Sequence, residues 1–155
     1  MVRTMQPTIT TTLFGGFIGT LMMSLMMKFA APMITGHPMD IAALLGNMLG
    51  GMYFLGMTLH IILGVVIFPL VYSILLYQFL PGAAVVKGML YGTILWLLAA
   101  TVVMPLAGAG FFMSAIGGVK AAMAALLGYW VYGGLLGVIA RVPACPHCRT
   151  NHHLA

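Results

Sequence analysis

Four stretches of this chain, near residues 12–33, 53–79, 84–106 and 121–140, are apolar almost without interruption. A bilayer's hydrocarbon core is about 30 Å thick and takes roughly 20 apolar residues to cross as a helix, so each stretch is long enough to span it. Backbone in hydrocarbon must satisfy its own hydrogen bonds, which leaves helices as the structure for such runs. A water-solvated domain is about 25% charged, whereas here 63% of the 155 residues are hydrophobic and only 5% are Asp, Glu, Lys or Arg. The expected fold is therefore an all-α membrane protein, with a four-helix transmembrane domain over residues 1–142 and a short Cys/His tail over 143–155.

The same composition excludes several function classes. Disorder is incompatible with this hydrophobicity, and two cysteines close together near the C-terminus do not make a disulfide scaffold. The net charge of +5 comes from six Lys and Arg against a single acid. These basic residues are dispersed and lack interleaved aromatics, so the expected partner is the lipid bilayer and not nucleic acid.

The first run starts after the polar stretch from Thr8 to Thr12, and its length and position differ from those of a signal peptide, so it is expected to be retained. Pro81-Gly82 separates the second and third runs, and Gly108, Gly110, Gly117 and Gly118 break the chain before the fourth. Lys and Arg near span ends stay on the cytoplasmic side. With both termini inside, Arg3, Lys87, Arg141 and Arg149 are cytoplasmic and only Lys120 falls on the far side. That predicts a multi-pass membrane protein with N-terminus and C-terminus cytoplasmic. The first connection is then external, and Ile41, Leu44, Leu45 and Met48 fall there at helical spacing, which predicts a short interfacial helix.

An internal repeat organises the spans. Gly15, Gly19, Thr20 and Pro32 match Gly88, Gly92, Thr93 and Pro105 at one constant offset, and His60 and Gly64 align with Tyr129 and Gly133 at a slightly different one. The chain reads as two tandem two-helix units, whose pseudo-twofold axis runs along the membrane normal. Gly15-x-x-x-Gly19, Gly88-x-x-x-Gly92 and Gly133-x-x-x-Gly137 leave grooves for close helix packing, within one bundle or between chains.

Few residues carry chemistry. His60 is the one histidine inside a span and needs a buried partner, either a polar neighbour such as Thr20, Thr93, Tyr129 or a backbone carbonyl, or a cofactor such as haem b. Lys28 sits within the first span, and its one acidic partner in the chain is Asp40, so an ion pair is expected between them. Met22 with Met26 and Met23 with Met27 form i,i+4 thioether pairs of the kind that select Cu(I), a pattern similar to that of eukaryotic high-affinity copper transporters, although methionine is also a general gap-filler. In the tail, Cys145, Cys148, His152 and His153 have the donors of a tetrahedral metal site such as zinc, though one Cys-x-x-Cys is half a zinc ribbon. No catalytic residues emerge: there is no second carboxylate, no nucleophile triad, no phosphate loop and no His-Glu-x-x-His.

Gly19-Thr20, Met39-Asp40-Ile41-Ala42, His60-x-x-x-Gly64, Phe68-Pro69-Leu70-Val71-Tyr72, Gly92-x-x-x-Trp96 and Met104-Pro105-x-x-Gly108-x-Gly110-Phe111-Phe112 together resemble an uncharacterised bacterial family of small four-span inner-membrane proteins. The resemblance reaches to about residue 140 and brings no established activity. It implies a histidine in the last span where this chain has Tyr129, which would have paired with His60. These readings converge on a non-enzymatic accessory or assembly subunit of a larger respiratory or metal-dependent membrane complex, in contact with other membrane subunits or with copies of itself. Two alternatives stand beside it. One is a protein that binds haem, copper or zinc through His60, the methionine pairs or the tail, and the other is a small ion or proton channel or carrier.

Overall fold

The structure is a computed structural model that describes residues 7–36 and 39–141. Four helical segments are long and apolar enough to cross a membrane, Ile9–Thr35, Tyr53–Leu76, Ala84–Leu106 and Gly118–Ile139. They agree with the four runs of the sequence to within a few residues at most ends. Among the described residues there is no strand, and the fold is that of an all-α, four-span membrane protein.

The first span consists of α1 (Ile9–Phe29) and α2 (Ala31–Thr35). The break falls at Ala30 because Pro32 has no N–H to offer the Lys28 carbonyl. Gly36 then ends the segment in a left-handed conformation (φ 84°), its N–H donating to the Pro32 carbonyl. Helix α3 (Ile41–Met48) is the short helix expected in the first connection. Its N-cap is Asp40, whose Oδ1 accepts the Ala43 N–H at 3.0 Å. It lies against α4 (Tyr53–Ile62) backbone to backbone: a Cβ on Gly56 would run into the Ala42 carbonyl and the Gly46 amide.

Two spans contain widened turns. After α4 the second span runs through a π turn (Leu63–Ile67), α5 (Phe68–Val71) and another π turn (Tyr72–Leu76). The third span is α6 (Ala84–Leu98), a π turn (Ala99–Val103) and α7 (Met104–Leu106). Two of these turns end two residues before a proline, where the Phe68 N–H reaches back to the Leu63 carbonyl and the Met104 N–H to the Ala99 carbonyl. Widening the turn accommodates a ring that would otherwise clash with the preceding helical carbonyl. At Pro69 this has a further effect. The normal donor to the Gly64 carbonyl, the Phe68 N–H, is engaged with Leu63, and the next residue is a proline. The vacancy is filled from another helix, because the Tyr132 hydroxyl donates to the Gly64 carbonyl at 2.7 Å.

The last span, α8 (Gly118–Ile139), packs against both α1 and α6 and forms the centre of the bundle. Its contact with α6 is made of glycines: a Cβ on Gly88 would strike the Gly133 carbonyl, one on Gly133 the Gly88 carbonyl, and one on Gly137 the Ala84 carbonyl. Gly92 lies on the Tyr129 carbonyl, Gly15 on Leu136 and Ile139, and Gly19 on Tyr132. All six glycines of the three small-residue motifs therefore serve close packing within the chain, the first of the two uses left open by the sequence. Gly16 and Gly64 join the second span to α1, the Pro69 ring filling the space beside Gly16 and the Thr20 side chain the space beside Gly64. The largest side chains sealed inside are Tyr72, Tyr91, Tyr132, Met27, Met113 and Leu136.

Candidate functional site

At the end of the bundle roofed by α3, a pocket of about 180 Å³ gathers Ser24, Met27, Lys28, Met39, Asp40, Tyr53, Met57 and His60. The first span supplies Ser24, Met27 and Lys28 through the i,i+3 and i,i+4 spacing that places them on one side of α1. The connection supplies Met39 and Asp40. The second span supplies Met57 and His60, one turn apart. Lys28, Asp40 and His60 thus line one space, which brings the single acid of the chain beside two of its basic groups.

The expected Lys28–Asp40 ion pair does not form. The two side chains line the same pocket, but no ammonium–carboxylate contact within ion-pair distance joins them among the described residues. Asp40 is instead committed to capping α3, which holds its carboxylate at the helix start.

His60 Nε2 lies 3.1 Å from Ser24 Oγ, and Ser24 Oγ donates its hydrogen to the Thr20 carbonyl at 2.8 Å. The half-buried imidazole therefore has a polar partner, Ser24, in place of the threonines, tyrosine or carbonyl expected from the sequence. His60 also borders a second, interior cavity of about 70 Å³, lined further by Thr20, Gly64, Tyr129 and Tyr132. His60 and Tyr129, matched by the internal repeat, thus face one cavity. Pockets for drug-sized ligands start at roughly 300 Å³, so this cavity is small by comparison.

Thr20 lies at the wall of that cavity, 6% exposed, and its Oγ1 is buried without a hydrogen-bond partner. Other helical hydroxyls bond back to the carbonyl four residues earlier, as Thr58 does to Phe54, Thr93 to Met89 and Thr101 to Leu97.

The methionine pairs divide. Met23 and Met27 turn inward and pack on Gly128 of α8, whereas Met22 is 44% exposed on the surface that lipid would cover and Met26 is half-buried. Of the four, only Met27 lines the pocket, together with Met39 and Met57, which no local spacing connects to it. The tail ligands Cys145, Cys148, His152 and His153 lie outside the described residues.

At the opposite end of the bundle, Lys87 Nζ donates to the Tyr77 carbonyl at 2.8 Å and sits 4.3 Å from the centre of the Tyr77 ring. The rings of Tyr77 and Tyr91 flank Tyr72, with centroids 5.7 and 5.2 Å from it. Tyr91 donates to the Phe68 carbonyl at 2.8 Å, while the buried Tyr72 hydroxyl has no partner. This tyrosine cluster was not singled out from the sequence, although tyrosines within apolar runs, whose hydroxyls need partners, were a usable signal.

No curated protein and no solved structure matches the chain. A family model does, over residues 6–148, which carries the similarity past residue 140 and through Cys145 and Cys148 but short of His152 and His153. With nearly its whole length matched, the chain belongs to that family, a family of unknown function (DUF6789).

Proposed function

We propose that the protein is a non-enzymatic, multi-pass inner-membrane protein that holds a small ligand in the pocket beneath α3 and serves a larger membrane assembly as an accessory subunit. The binding reading rests on one observation, the convergence of Ser24, Lys28, Asp40 and His60 on a single open space. Ionisable groups at membrane depth are costly and tend to mark functional sites. Here Lys28 and His60 line the same space as the chain's single carboxylate, Asp40. A non-catalytic role is supported by the single carboxylate of the chain already being used as a helix cap. Holding a ligand is favoured over passing it on because Tyr132 and Leu136, both almost fully buried, fill the bundle beyond the interior cavity.

The N-in, C-in orientation drawn from the Lys and Arg distribution would open the pocket on the outer face. The accessory role is supported by how little lies between the spans. Between them, among the described residues, the regular elements are the eight-residue α3 and a three-residue 3₁₀ turn, Phe111–Met113. Native mass spectrometry of protein extracted in mild detergent without chelators tests both readings. The expected spectrum shows companion chains and a small-mass adduct, and Met57→Trp, which fills the pocket, removes the adduct. A bare wild-type monomer would overturn both readings.

A further inference from the structure

Resting on that binding reading, we propose that the pocket's ligand is a soft monovalent metal ion, Cu(I), held by the thioethers of Met27, Met39 and Met57 and by Nδ1 of His60. The donors come from three separate segments, α1, the connection and α4. Met27 and Met39 are also tied through the backbone, the Met39 N–H donating to the Met27 carbonyl at 3.4 Å, and their side chains are 2% and 7% exposed. A thioether-rich set with one imidazole matches the preference of Cu(I). It does not suit hard cations, which require several oxygens, nor zinc, which prefers thiolates, several imidazoles or carboxylates. Among the described residues, no three His, Cys, Asp or Glu side chains come together to hold such ions.

The hydrogen count at His60 points the same way. The Ser24 hydroxyl has one hydrogen, and with it on the Thr20 carbonyl 2.8 Å away we assign the 3.1 Å contact to an Nε2–H donating to the Ser24 oxygen. The lone pair of the neutral ring is therefore on Nδ1, which has no partner among the described residues. Metal-bound histidines typically show this pattern, one nitrogen donating to a neighbour and the other left for the ion. Ser24 is thus a positioning residue. Lys28 and Asp40 carry opposite charges at the same pocket, so a monovalent ion adds a single charge where a divalent ion would add two.

The test uses the full chain with C145S/C148S, so that the tail thiols do not bind the probe. Cu(I), kept reduced with ascorbate, and Ag(I) are titrated against a competing chelator, with X-ray absorption on the copper-loaded protein. One equivalent per chain and a sulfur-dominated first shell with one nitrogen are expected. Met57→Leu and Met39→Leu should weaken binding by at least about tenfold, and Ser24→Ala by about 10–100-fold, the usual range for outer-shell partners. Met22→Leu and Met26→Leu should leave it unchanged. No binding to this chain, a shell without sulfur, or equal losses from Met22→Leu and Met57→Leu would overturn the proposal, and the absorption data stand even if a variant fails to fold. An adduct in the native spectrum that is lost in Met57→Trp and is not copper would overturn Cu(I) and leave the binding reading intact. Absence of any adduct would overturn both.

Discussion

The two halves of the repeat use equivalent positions to different ends. In the second, Thr93 Oγ1 donates to the Met89 carbonyl at 3.0 Å and accepts the Trp130 indole N–H at 2.9 Å, while Trp96 donates to the Ala122 carbonyl. The helices there meet backbone to backbone at Gly88 and Gly133. In the first half, Thr20 stands where Thr93 does, but Ile61 replaces the indole and the Thr20 hydroxyl has no partner. Gly64 meets a side chain where Gly133 meets a carbonyl. One half closes tightly around a threonine saturated by two hydrogen bonds, and the other keeps an unmet threonine hydroxyl beside the interior cavity. A repeated scaffold can hold its shape with one copy and leave the other free to bind.

The largest expected effect tests that closure. Gly133→Ala forces a methyl into the Gly88 carbonyl with backbone on both sides, and should cost more than about 3 kcal/mol in reversible unfolding from mixed micelles. Gly64→Ala meets only the Thr20 side chain, which can rotate to bond back to the Gly16 carbonyl, so about 1–2 kcal/mol is expected. Equal losses would break the contrast between the halves.

Tyr132→Phe comes next, at about 1–2 kcal/mol, near the upper end for a hydrogen bond in a bilayer. Pro69→Ala gives position 69 an N–H of its own for the Gly64 carbonyl, so the double-mutant cycle should show coupling between the two sites. Strict additivity would mean the tyrosine is not completing the backbone. The smallest pair bears most directly on the comparison. Thr93→Val should lose about 0.6–1.7 kcal/mol, whereas Thr20→Val, which removes a hydroxyl without a partner, should fall within about 0.5 kcal/mol of wild type or stabilise it. A clear loss at Thr20, in protein freed of ligand, would place it on the saturated side.

The spans, the helix in the first connection and the facing of His60 and Tyr129 were readable in the sequence because length, hydropathy and internal repetition determine them. Which side of each span faces inward was not. Lipid and protein interior are equally apolar, so Met22 on the surface and Met23 inside look alike in hydropathy. Small residues mark the interior instead, and the Gly motifs did locate α8 against its neighbours. Gly46 and Gly56, which join α3 to α4, fit no single motif because the two glycines lie on different elements. The Lys28–Asp40 pairing failed because Asp40 precedes a helix, where its carboxylate caps the Ala43 amide. The proposed methionine site was hidden for a related reason, since Met27, Met39 and Met57 come to line one pocket only once the connection folds back over the second span.

The hydroxyl of Tyr132 stands in for a backbone amide that Pro69 cannot supply, across a sequence separation of 68 residues. Synthesis runs from the N-terminus, so the second span is made well before the residue that completes it. Until the fourth span arrives, the Gly64 carbonyl must be met by water, by the insertion machinery or by a temporary neighbour. The order of assembly is thereby written into one phenol: the second span is not finished when it is threaded, but when the last one closes over it.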